Sequence, residues 1–246
     1  LEKVVHPTAR ILRDFDRKVV EGSMQYGKEE EQAKWSAEFY SNLHAECMKY
    51  VNKCKPIVSY LVKEFEMKKA ADEHRRSSTA RSGVINVGAL HSYKYNEDIF
   101  LKKAVVADAK NHGLVMFVDF SGSMSSNMEG TIEQLINLVL FCKKASIPFE
   151  VYGFGNAGIS YASEQDTQPV KKDGDLVCNP FVLRKYISND LKSREFNRAL
   201  DYLIFLKMHH SRYNNAWYHG LVLNETTYTG VHIPNHDQLG STPLDE

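Results

Sequence analysis

Cysteine is scarce in the 246-residue sequence: Cys47, Cys54, Cys142 and Cys178 are the four, with no CxxC pair among them. Cys47 and Cys54 stand two helical turns apart on one face, which is not zinc-finger spacing. Buried free thiols in a reducing compartment are expected. No run approaches the ~18 apolar residues of a membrane-spanning helix and no signal-peptide pattern opens the sequence, so a soluble cytoplasmic protein with no membrane partner is expected. An excess of either charge is also missing, because Lys+Arg 31 balances Asp+Glu 31. A dedicated nucleic-acid or anionic-membrane binder would carry a basic excess, and both partner classes are disfavoured. Neither the phosphate-cradling G-x-x-x-x-G-K-[ST] nor the Gly-x-Ser-x-Gly nucleophile elbow occurs, which removes P-loop nucleotide binding and elbow-type hydrolysis.

What is present is globular: 43% hydrophobic and 25% charged residues, with 14 Gly. The length suits one large α/β domain, or a medium domain with an appended helical segment. Residues 1–76 read as that helical lead-in. Trp35, Phe39, Leu43 and Cys47 or Met48 recur at spacing four behind the acidic run Glu29-Glu30-Glu31, one apolar stripe with a solvated acidic start. Pro56 is expected to break or restart the helix, and Ile57, Tyr60, Leu61 and Phe65 to carry a second one to about Arg76, giving an α-hairpin. Residues 77–112 read as a basic loop and a short extended element. His74, Arg75, Arg76 and Arg81 form the basic cluster, and Leu90 to Phe100 is expected to be extended or a hairpin.

The α/β pattern begins at Gly113. Leu114-Val115-Met116-Phe117-Val118 is a continuous apolar run, as expected of a strand buried on both faces. A helix follows from about Met128 to Ala145, then a strand over Phe149–Phe154, which makes a βαβ unit and a parallel sheet. Residues 155–190 read as loop-rich, and Phe196 to His210 as an amphipathic helix. His209, His210 and His219 have no carboxylate or Cys at ligand spacing, so surface or hydrogen-bonded histidines are expected there.

The informative segment is Asp119-Phe120-Ser121-Gly122-Ser123-Met124, directly after the apolar strand. Asp119, Ser121 and Ser123 alternate, so an extended loop turns one carboxylate and two hydroxyls towards one point. Such a hard-oxygen set suits Mg²⁺ or Mn²⁺ and not Zn²⁺ or copper. A phosphoaspartyl loop would need a second carboxylate at position 121, where Ser stands. Asp-x-Ser-x-Ser arises by chance in roughly one chain in twenty of this length, so its weight comes from its place. Ligands of open parallel sheets bind beyond the carboxyl ends of strands.

The run Leu114 to Met124, "LVMFVDFSGSM", resembles the first strand and metal-ion-dependent adhesion site of the von Willebrand factor type A (VWA) domains. The resemblance implies an α/β, Rossmann-like fold with a mainly parallel sheet over residues 113–246, behind the helical segment. It implies a metal site of Asp119, Ser121 and Ser123. Gly240-Ser241-Thr242-Pro243-Leu244 resembles the family's second loop and makes Thr242 the implied fourth ligand. The third-loop Asp has no counterpart here, which implies that the last strands lie beyond the sequence. The start at Leu1 and the helix-opening pattern Thr242 to Glu246 raise the same expectation of a longer polypeptide.

Within that family the layout is similar to the CobT-like subunit of cobaltochelatase and its phage-encoded relatives, through the helical lead-in, the basic loop and the segment Gly88 to Lys103. This resemblance implies a non-enzymatic, Mg²⁺-dependent (or Mn²⁺-dependent) interaction module. Its implied partners are a MoxR-type AAA+ ATPase and a client protein offering a carboxylate. Two alternatives stay open: a non-catalytic subunit of a chelatase acting on a tetrapyrrole, and a phage virion or assembly component.

Overall fold

The computed structural model describes residues 5–76, 78–80, 85–95, 103–105, 113–155, 182–211 and 221–240. In chain order the short strand β1 (Val5–His6) leads into α1 (Thr8–Ser23) and the long α2 (Glu29–Arg76). A small antiparallel pair, β2 (Ser78–Ala80) with β3 (Lys103–Val105), follows. Then come β4 (Leu114–Asp119), α3 (Met128–Lys144), β5 (Phe149–Gly155), β6 (Val182–Ser188) and α4 (Ser193–His209). The hairpin β7 (Leu221–Leu223) and β8 (Thr226–Tyr228) turns through Asn224 and Glu225, both in the left-handed region.

The central sheet has the order β1-β6-β5-β4. β4 runs parallel to β5 in the register Leu114↔Phe149 to Asp119↔Phe154, with α3 as the crossover, so the βαβ unit is present. β1 is parallel to β6, while β5 and β6 are antiparallel. The fold is therefore α/β with a mostly parallel sheet and an N-terminal helical segment. Among the described residues no helix is long and apolar enough to cross a membrane.

The core is one cluster that joins the sheet to the helices. Met116, Val118, Phe149 and Val151 of the sheet belong to it with Ile132, Ile136 and Val139 of α3 and Leu203 and Phe205 of α4. Ile11, Leu12, Phe15 and Val19 of α1 step along one buried face and join the same cluster. The Phe15 ring lies 4.8 Å from those of both Tyr202 and Phe205. Phe39, Leu43 and Cys47 of α2 are buried too, so the helical lead-in shares its core with the α/β unit. Cys47, Cys54 and Cys142 are buried free thiols, and burial raises the pKa of the Cys47 and Cys142 thiols. Cys178 and His219 lie outside the described residues.

Several expectations need correction. α2 runs unbroken through Pro56, and the helical hairpin turns at residues 24–28 instead. Proline removes one backbone donor and costs a helix interior about 3 kcal/mol, and contacts on both sides of it hold α2 in line. Tyr50 donates to the Glu133 carbonyl at 3.4 Å, Lys144 to the Ser59 hydroxyl at 2.7 Å, and Phe65 meets Phe141 edge-on at 5.7 Å. The buried face beyond Tyr50 is Cys54 and Val58, whereas Ile57, Tyr60 and Leu61 face solvent. β4 is buried on one face only: Met116 and Val118 point inward, while Val115 and Phe117 are 53% and 61% exposed. Among the described residues, Met116 and Val118 share their core with residues of α1, α2, α3 and α4. Residues 182–188, read as loop, form β6 by pairing with β1 and β5; Arg184 and Lys185 mask the alternation in the sequence. Of the segment Leu90 to Phe100, expected to be extended or a hairpin, Leu90 to Ser92 end the 3-10 turn Val87–Ser92 capped by the Asn86 side chain, and residues 96–100 lie outside the described residues.

The corrected face of α2 separates two substitutions. Leu43→Ala should cost about 2–5 kcal/mol, the range for large-to-small changes in a core. Ile57→Ala should stay within about 0.5 kcal/mol, as surface changes do. Urea denaturation of both variants measures the contrast.

Candidate metal centre

The site is built where β4 ends. The Phe120 N–H extends the β4–β5 ladder by donating to the Phe154 carbonyl at 2.9 Å. The chain then turns: Ser121 is extended, and Gly122–Ser126 form a 3-10 turn that delivers the chain to α3. This turn, and not a fully extended loop, brings Ser123 back towards Asp119. The Ser121 N–H donates to Asp119 Oδ1 at 2.9 Å, and the Ser121 hydroxyl to Asp119 Oδ2 at 3.0 Å. Ser121 Oγ also lies 2.9 Å from Ser123 Oγ. One carboxylate and two hydroxyls thus meet at the carboxyl end of a parallel strand. Ser121 is buried, Asp119 half-buried and Ser123 exposed, so the group opens to solvent on the Ser123 side.

The oxygen spacing tests whether a cation fits. Neighbouring oxygens around Mg²⁺, with bonds of about 2.0–2.1 Å, lie about 2.9 Å apart; around Ca²⁺, with bonds of about 2.3–2.6 Å, they lie about 3.3–3.7 Å apart. The 3.0 and 2.9 Å separations are hydrogen-bond distances, close to the spacing around the smaller ion, which could take the place of these bonds with little movement of the oxygens. The donor set also suits a hard cation. Asp119, Ser121 and Ser123 are the residues that would hold it.

A second loop docks onto the first. Gly240 donates to the Phe120 carbonyl at 3.0 Å and accepts from the Gly122 N–H at 2.6 Å, a parallel bridge across Ser121. Thr242, the implied fourth ligand, lies outside the described residues, two positions after this bridge. The side chains of the basic cluster, His74 to Arg81, lie outside them as well.

Beneath the loop sits a buried polar cluster that the sequence reading did not single out. Asp237 accepts hydrogen bonds from the Tyr186 hydroxyl and, at 2.5 Å, from the Tyr202 hydroxyl. Arg184 Nη1 lies 3.1 Å from the same carboxylate, and Arg184 and Asp237 are each 2% exposed. The Arg184 guanidinium also sits over the Phe120 ring at 5.2 Å and over the Tyr186 ring at 5.8 Å, and these two rings stack at 5.5 Å. Burial raises the pKa of both phenols well above the ordinary value and keeps them neutral donors. Gly153 makes the stack possible, since a Cβ there would overlap the Tyr186 ring and approach Phe120 to 2.8 Å. Among the described residues Arg184 Nε and Nη2 have no hydrogen-bond partner. The available signal was period two in Val182–Ser188, which puts Arg184, Tyr186 and Ser188 on one face.

Histidines surround this cluster and are not on the surface, contrary to one of the two expectations for His209 and His210. His209 is buried, and its ring lies 5.8 Å from that of His210. Burial, then His210 and His232, lowers its pKa to about 4. His6, edge-on to His236 at 5.5 Å, is lowered to about 4 by burial and then by Arg10, His236 and Arg184. Burial lowers His210 as well.

No family model matches the chain, and comparison with the curated proteins and with the solved structures gives no match either.

The histidine shifts set a pH dependence. Between pH 6.5, where the unfolded imidazoles titrate, and about pH 4, the unfolded chain binds protons that folded His6 and His209 refuse. Stability is therefore complete above about pH 6.5 and falls as pH drops through that window. Thermal denaturation from pH 7.5 to 4 should show a falling Tm, and His209→Gln should flatten the fall. A Tm level across the window would contradict the shifts.

Proposed function

We propose that the chain is a non-enzymatic, Mg²⁺-dependent protein-interaction module of the VWA type. The observation that supports this reading most directly is the convergence of Asp119 Oδ2, Ser121 Oγ and Ser123 Oγ at the end of β4. One carboxylate balances half the charge of a divalent ion, and the two hydroxyls add none. A bound Mg²⁺ would supply a positive centre able to accept a carboxylate from outside the chain.

The residues divide the work. Asp119 is the charged anchor, and its Oδ1 is tied to the Ser121 N–H, which orients the carboxylate. Ser121 is locked by burial and by three hydrogen bonds, so its hydroxyl is preorganised. Ser123 is the exposed member and marks the side from which a partner enters. Thr242 would join from the second loop. In the setting implied by the CobT-like resemblance, the module works in the cytoplasm with a MoxR-type AAA+ ATPase, and the metal-bridged contact holds a client protein that offers Asp or Glu.

Affinity capture from native cells tests the reading, with the wild-type chain in Mg²⁺, in EDTA, and with Asp119→Ala. Proteins retained in Mg²⁺ should be lost in EDTA and lost again with Asp119→Ala, while circular dichroism of the variant stays unchanged. Identical recoveries in all three arms would contradict the proposal.

A further inference from the structure

We infer that Asp237, with Arg184, Tyr186 and Tyr202, is the positioning group of the metal centre: it sets the Gly240 loop in register against the Asp119–Ser123 loop. The inference rests on the cation reading above and extends it to residues that touch no ligand. Asp237 stands three positions before Gly240, and Gly240 bonds the chain on both sides of Ser121. Pulling on Asp237 therefore pulls on the backbone that brackets the central hydroxyl of the site.

Arg184 links the two loops directly. One of its nitrogens forms an ion pair with Asp237 at 3.1 Å, while the face of its guanidinium covers Phe120, the residue between Asp119 and Ser121. Tyr186 does the same, donating to Asp237 and stacking on Phe120. Two side chains of β6 thus contact both loops at once. Arg184 is buried at this place, with Nε and Nη2 unpartnered among the described residues, and an apolar side chain could serve stability at least as well. What an apolar side chain cannot supply is a directional hold on the Asp237 carboxylate.

Amide hydrogen exchange in the metal-free chain tests this, with Mn²⁺ titration as a second readout. In Asp237→Asn, exchange at the Gly122 and Gly240 N–H groups should quicken at least ten-fold while amides in the middle of α3 stay unchanged. Mn²⁺ affinity should fall at least ten-fold. Tyr202→Phe removes one donor and should move both readouts in the same direction, which keeps the test open if Asp237→Asn fails to fold. Val19→Ala, a buried change in α1 at none of the contacts named above, should lower stability and leave Mn²⁺ affinity unchanged. Unaltered Gly122 and Gly240 exchange, or a rise shared equally by α3, would overturn the inference even where Mn²⁺ binds. A wild-type chain that fails to bind Mn²⁺ would instead overturn the cation reading, and the exchange data would still decide whether Asp237 holds the loops together.

Discussion

A buried carboxylate held by two phenol donors and one ion pair organises this end of the fold. Asp237 draws Tyr186, Tyr202 and Arg184 to one point, so it ties β6 and α4 to the segment that reaches Gly240. Leaving either member of such a buried ion pair alone costs about 3–5 kcal/mol, so the cluster stands or falls as a unit. Phe120 lies against it, and the rings of Phe120 and Tyr186 fit only because position 153 has no side chain. The three oxygens of Asp119, Ser121 and Ser123 hang from this arrangement. Their geometry follows from a backbone bracketed by Gly240 on one side and by the β4–β5 ladder on the other.

The chemistry follows from charge and access. A single carboxylate with two hydroxyls leaves a divalent cation short of negative charge, and Ser123 opens the group to solvent. On the proposed reading, that combination favours an acidic ligand arriving from another molecule over a closed structural site. Burial lowers the pKa of His6, His209 and His210, so near neutral pH these three place no positive charge beneath the Asp119 loop.

Legibility in the sequence divided along physical lines. The run Leu114 to Val118, the helix behind it and the strand at Phe149 gave the βαβ unit, since a local apolar pattern determines each of them. The Asp119, Ser121 and Ser123 triad was legible because its spacing is local as well. α2 was misread at Pro56: propensity argues for a break there, and packing on α3, which is non-local, decides otherwise. β6 escaped because its inward residues include an arginine, whose burial depends on Asp237, 53 positions away in the chain. The exposed outer face of β4 was likewise invisible, since apolar composition reports what a strand can bury and not which layers cover it.

Titration of the metal-free chain with Mn²⁺, followed by electron paramagnetic resonance, tests the central claim most directly. The account predicts one bound Mn²⁺ per chain, displaced by excess Mg²⁺ and lost in a folded Ser121→Ala/Ser123→Ala variant. Absence of binding, or binding that survives removal of both hydroxyls, would contradict it.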